Sequence, residues 1–203
     1  GYKDSADKAN SIYDKYEIEK LKVAKAGDYV FFGEYEQDNN TANGKEDIEW
    51  LVLELKDGKA LVISKYALDC QQYNTPYTDV TWESCSLRKW MNGTFLNKAF
   101  NAEEQAQIQN TTVSADKNPE YNTNPGNATT DKVFLLSINE VEKYFNSDEA
   151  RKCAPTAYAK AQGAYTSDSY KTASGAATCW WWLRSPGNSQ NNAAYVRSDG
   201  SVY

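Results

Sequence analysis

The sequence predicts an α+β domain of antiparallel strands and a few short helices, preceded by an N-terminal helix. Three observations predict it. Apolar runs bracket an Asp57-Gly58 pair near the start, two Asn/Ser-x-x-Glu pairs mark helix starts in the middle, and three consecutive tryptophans lead into a strand-loop-strand pattern at the end. At 203 residues the chain has the size of one large domain, or of one domain with an appendage. We therefore expect a helical linker over residues 1–26 and a single core over residues 27–203.

Taken in order, residues 1–26 alternate Lys, Asp, Glu and Ala with Ile12, Tyr13, Tyr16, Ile18, Leu21 and Val23, a loosely amphipathic spacing that reads as a linker or docking helix. Gly27-Asp28 punctuates the start of the domain. Residues 29–32 and 48–55 read as strands on either side of a polar, Asn-rich loop. The Asp-Gly pair between residues 48–55 and 60–64 is the strongest short-range hairpin signal in the chain. Leu87, Trp90, Met91, Phe95 and Leu96 fall at three- and four-residue spacing, which predicts a helix with a break near Gly93. Asn101 with Glu104 starts a short helix running to Ile108, and Ser137 with Glu140 starts one ending at Phe145. Residues 111–131, poor in apolar side chains and rich in Asn, Pro and Thr, read as a long surface loop, a kind usually functional or disordered. Residues 133–136 read as the strand that closes it.

Composition excludes several function classes. A net charge of -6 with no basic cluster removes the electrostatic term that dominates nucleic-acid binding, so no nucleic acid is expected as partner. No apolar run approaches the roughly 20 residues needed to cross a bilayer, so the chain itself is expected to be soluble, without membrane insertion. Gly1 followed by polar sequence reads as a cut end from which an export signal or anchor has been removed. Histidine is absent, which rules out Ser-His and Cys-His mechanisms. The 28 acidic residues leave a carboxylate-pair enzyme as a minor alternative, and no phosphate-cradling or nucleophile-elbow string occurs. Cys70, Cys85, Cys153 and Cys179 allow three pairings. Local pairs 70–85 and 153–179 would close two short loops, each worth about 3 kcal/mol by chain entropy. The plainer reading is four reduced thiols. With no CxxC and no His, neither a metal nor another cofactor is expected.

The last third carries the most unusual chemistry. Trp180, Trp181 and Trp182 in one strand must point alternately to opposite faces, so at least one indole lies away from the core. An amide- and hydroxyl-rich loop follows, then a strand over residues 193–197 and a second hairpin signal at Asp199-Gly200. The candidate ligand site is Trp180, Trp182, Arg184, Asn188, Gln190, Asn191, Asn192, Tyr195 and Arg197, because aromatic faces beside amide and guanidinium donors suit sugar or peptide recognition. A competing structural reading buries the tryptophans and pairs Arg184 with Asp199 or Glu83. The weight falls on residues 188–197, with the tryptophan run as their support.

Residues 27–35 (GDYVFFGEY), 48–53 (IEWLVL), 81–92 (TWESCSLRKWMN), 131–137 (DKVFLLS) and 181–187 (WWLRSPG) occur in that order. Together they resemble an uncharacterised domain family of surface and secreted proteins of Gram-positive, often gut-dwelling, bacteria. The resemblance spans residues 27–203 and implies an extracellular or surface-attached protein of no established activity. Its last segment is also similar to C-type-lectin-like folds, including relatives of formylglycine-generating enzymes and the variable receptors of diversity-generating retroelements. That similarity implies a C-type-lectin-like fold and carries no function with it. Three departures stand out. The Arg-Pro-Ala-Leu strand usual after the final turn is missing. Asn118-Pro119-Glu120 is a reversed form of the calcium-lectin motif without its companion, and Cys179 lacks the partner a formylglycine-generating enzyme needs nearby. Neither calcium-dependent sugar binding nor oxidase chemistry is therefore expected. The favoured function is a non-catalytic binding module for a carbohydrate or a protein or peptide ligand. The alternative is a structural or assembly domain of a larger surface protein.

Overall fold

The computed structural model describes residues 17 and 19–203. Most of the expected N-terminal helix lies outside the described residues. Its end is helical over residues 19–23, and Leu21 and Ala24 pack against the first of three hydrophobic clusters.

That cluster rests on an antiparallel meander of β1 (Tyr29–Tyr35), β2 (Glu46–Lys56) and β3 (Lys59–Ser64). Ile48, Trp50 and Val52 alternate inward along β2, as the two-residue period of a strand requires. Asp57 and Gly58 both take positive φ, the backbone that a two-residue hairpin between twisted strands demands. Phe95, Leu96, Ala99 and Phe100 cover the sheet, and the Trp50 indole N–H donates to the Phe32 carbonyl at 2.7 Å.

The helical middle departs from expectation at one point. α1 (Ser86–Trp90), a π-helical turn (Met91–Phe95) and α2 (Leu96–Ala99) run on without interruption, so the break expected near Gly93 is a widened turn. The extra residue in that turn keeps Leu87, Phe95 and Leu96 all buried. α3 (Ala102–Gln107) and α4 (Ile138–Tyr144) each begin with the full capping box read from the sequence. Two helices were not foreseen, α5 (Asp148–Arg151) and α6 (Ala157–Ala161), capped by the Ser147 and Thr156 hydroxyls.

Three strand readings are corrected. β5 (Thr111–Val113) and β6 (Thr129–Asp131) pair antiparallel, so the ends of the long loop are tied and only residues 114–128 remain irregular. Residues 133–136 form no strand because side chains and one long-range backbone hydrogen bond take their backbone groups. The Asn92 amide brackets Val133 from both sides, the Arg184 guanidinium donates to the Leu135 carbonyl, and the Arg184 N–H donates to Leu136. β4 (Tyr66–Ala67) and β7 (Ala154–Pro155) pair in parallel, an exception to the otherwise antiparallel pattern.

β8 (Trp181–Pro186) and β9 (Ala193–Val196) form the last hairpin. After the turn at Gly200 the chain returns along β9, where Tyr195 and Tyr203 exchange two backbone hydrogen bonds of 2.9 Å. Gly200 holds φ at 91°, and a Cβ there would lie 1.8 Å from the Asp148 carbonyl oxygen. Only glycine lets this turn seat against α5. The molecule is thus a mixed α+β domain of mainly antiparallel strands and short helices.

Candidate functional site

The motif residues mostly lock the fold together. Asp131, 2% exposed, accepts from the Trp82 indole at 3.1 Å, the Arg88 guanidinium at 2.7 Å and the Thr129 hydroxyl at 2.5 Å. Ser185 Oγ accepts the first free N–H of α4, that of Ile138, at 3.0 Å. Arg184 is 3% exposed and spends its donors inward, on both oxygens of Glu140, on the carbonyls of Ser114 and Leu135, and on an ion pair with Asp116 at 3.5 Å. A guanidinium can be buried only when its donors and charge are met in this way. Arg184 is therefore unavailable to a ligand at the surface, and its partners are Glu140 and Asp116 in place of Asp199 or Glu83.

The remaining candidates fall into two groups at opposite ends of the last hairpin. Asn188, Gln190, Asn191 and Asn192 sit at its tip, beyond the Pro186–Ala193 pair. Their amides largely serve the loop itself. Gln190 staples the tip to Val80 and Asn124, the Asn192 amide N–H donates to Asn188, Tyr77 donates to Asn192, and the Ser189 hydroxyl donates to Asn191 at 2.8 Å. Trp180, Trp182, Tyr195 and Arg197 sit at the base, roughly 15 Å away along the strands.

At the base the strand alternation sorts the tryptophans. Trp181 turns inward onto Phe145 and donates to the Arg151 carbonyl at 3.0 Å. Trp180 and Trp182 lie on the other side, both against Tyr195, at ring separations of 5.3 and 6.0 Å. The chain of rings continues from Trp180 to Tyr165 at 5.3 Å, from Tyr195 to Tyr203 at 5.5 Å, and from Trp182 to Tyr73 at 5.7 Å. Trp180 remains 52% exposed. The Arg197 guanidinium lies 4.1 Å from the centre of the Tyr203 ring, a cation–π contact that fixes its position.

Beside Trp180 opens a cleft of about 150 Å³. Tyr165, Tyr170 and Trp180 give it aromatic walls, and Ser167, Arg197, Ser198 and Asp199 give it polar groups. The first wall comes from the loop after α6, held to the strand by the Ser167 N–H on the Thr178 carbonyl at 2.8 Å and the Thr178 hydroxyl on the Tyr170 carbonyl at 3.1 Å. The Ser201 hydroxyl and then its N–H donate to Asp199 and hold that carboxyl below its usual range. Ser198 is 5% exposed, and its hydroxyl has no hydrogen-bond partner. A buried hydroxyl without a partner is costly, and this one lies behind the cleft surface, shielded from direct contact.

Sequence reasoning missed Tyr165, Ser167, Tyr170, Ser198, Asp199 and Tyr203. The density of Tyr over residues 157–175 is the signal that could have found the first three. Elsewhere among the described residues, Glu36, Asp38 and Glu46 bring three carboxylates together on the β1–β2 loop. Loop N–H groups of Gln37 and Asn40 already occupy them at 2.6 to 2.9 Å.

Fold and site together define a mixed α+β domain that presents an aromatic surface and a small polar-rimmed cleft at the base of its final hairpin. Residues 57–203 match the family described as a domain of unknown function, DUF6273, and the chain belongs to that family. The match opens at the β2–β3 turn and takes in the whole of the candidate site. No curated protein and no solved structure matches the chain.

Proposed function

We propose that this domain is a non-catalytic carbohydrate-binding module, displayed outside the cell or on its surface, that holds a sugar against Trp180 and in the adjoining cleft. The observation that carries the reading is Trp180, a large apolar ring left half exposed on a surface where its neighbours are already stacked into a continuous chain. The C–H face of a pyranose stacks on such a ring, while sugar hydroxyls reach the donors of Arg197 and the carboxylate of Asp199. The cleft suits one sugar ring, with the aromatic chain extending the contact to neighbouring units. Asp199 is the one carboxylate among the cleft's described residues, whereas glycoside hydrolysis takes a pair. That supports binding without turnover. A C-type-lectin-like arrangement and a Gram-positive surface setting belong to the same reading and rest on the sequence resemblance.

A glycan array probed with the wild-type domain, Trp180→Ala and Arg197→Ala tests it, with a peptide array in parallel. The expected result is a set of glycans retained by the wild type and lost by both variants, each remaining folded by circular dichroism. Glycan binding that survives both substitutions, or binding confined to peptides, defeats the reading.

A further inference from the structure

Cys153 and Cys179 face one another across an isolated antiparallel bridge, with the Cys179 N–H donating to the Cys153 carbonyl at 2.8 Å. Facing residues of such a bridge have Cα atoms about 4.5–5.5 Å apart, inside the span of a disulfide. The Cys179 sulfur lies 3.5 Å from the Cys153 carbonyl oxygen, back across the bridge. Contact with the Cys153 thiol, and then burial, push the Cys179 thiol above its ordinary range. The bridge closes a loop of consequence. The 26-residue step from Cys153 to Cys179 contains Tyr165, Ser167 and Tyr170, one wall of the cleft, and Trp180 follows directly.

We propose that Cys153 and Cys179 form a disulfide in an oxidising environment, and that the bond fixes this wall of the cleft. Cys153, the more exposed of the two, is the entry point. Its thiolate attacks a low-molecular-weight disulfide such as oxidised glutathione, forming a mixed disulfide and releasing one reduced glutathione. The Cys179 sulfur then displaces the second glutathione. Both cysteine thiols lose their hydrogens, one sulfur–sulfur bond forms in the protein, and the two glutathione molecules leave as thiols. Cys85 is the bystander, because it sits buried at the start of α1, where its sulfur accepts the Arg88 N–H at 3.3 Å. Cys70 is partly buried and is the thiol to exclude by experiment. The inference goes beyond carbohydrate binding and is read without any ligand.

The test equilibrates the chain with excess oxidised glutathione, counts the remaining thiols, maps linked peptides by mass spectrometry and records Tm with and without reductant. The wild type is expected to lose two of its four thiols to a single Cys153–Cys179 link. The link persists in Cys70→Ser and is absent from Cys153→Ser, and oxidation raises Tm by roughly 5–10 °C. Four free thiols after oxidation, glutathione adducts alone, or a link through Cys70 or Cys85 overturns the pairing. A Cys153–Cys179 link that leaves Tm unchanged overturns the claim that it fixes the wall.

Discussion

Arg184 and Trp180 lie four residues apart and contribute in opposite ways. Removing the Arg184 guanidinium leaves the Glu140 carboxylate with only its capping-box bond to the Ser137 N–H and the carbonyls of Ser114 and Leu135 without their donor. Arg184→Ala is therefore expected to cost about 3–5 kcal/mol, read as a large fall in the midpoint of urea unfolding. Trp180→Ala loses only ring contacts on a half-exposed face, so about 1 kcal/mol is expected, and its main effect falls on binding. The sequence makes the alternation of the three tryptophans legible, because a strand has a period of two. It does not say which face is wet. Nor does it show that the Arg184 partner stands 44 positions earlier, at the start of α4.

Elements with local causes are the ones that can be read in advance. Both capping boxes need only residues three apart, and the Asp57-Gly58 turn needs only two positive φ angles. Ser137→Ala is expected to cost about 1 kcal/mol by freeing the N–H of Glu140, measurable by thermal unfolding. The pairings β4–β7 and β5–β6 escape such reading, since strands of two or three residues owe their existence to partners far along the chain. Residues 133–136 mislead for the same reason, their backbone groups being claimed by Asn92 and Arg184. The final turn carries an acid dependence. Asp199, held low by Ser201, contributes fully above the unfolded carboxylate value of about 3.9 and loses that contribution as pH falls through its lower folded value. The protection factor of the Tyr203 amide, its exchange rate relative to the intrinsic rate at each pH, should fall over that acid window in the wild type. In Asp199→Asn the protection factor should be low already at neutral pH and no longer change on acidification.

At the scale of the whole molecule, three hydrophobic clusters are tied together by buried polar locks at Asp131 and Arg184, and the residues of the recognisable motifs supply both locks. The family match therefore speaks mainly for the scaffold. What the scaffold presents is the ring chain around Trp180 and Tyr195, with the cleft between Tyr165, Tyr170 and Arg197 beside it. The amide-rich tip, which composition favours as a binding loop, is held to residues 80 and 124 by Gln190, while Asn188, Asn191 and Asn192 bond mainly within the loop. The most direct measurement is a heteronuclear NMR titration of the wild-type domain with its strongest array glycan, following the six tryptophan indole N–H signals and the backbone amides. The account predicts that the Trp180 indole and the amides of residues 165–170 and 197–199 shift together, while the Trp181 indole stays in place. Shifts confined to residues 188–192, with the Trp180 indole unmoved, would contradict it.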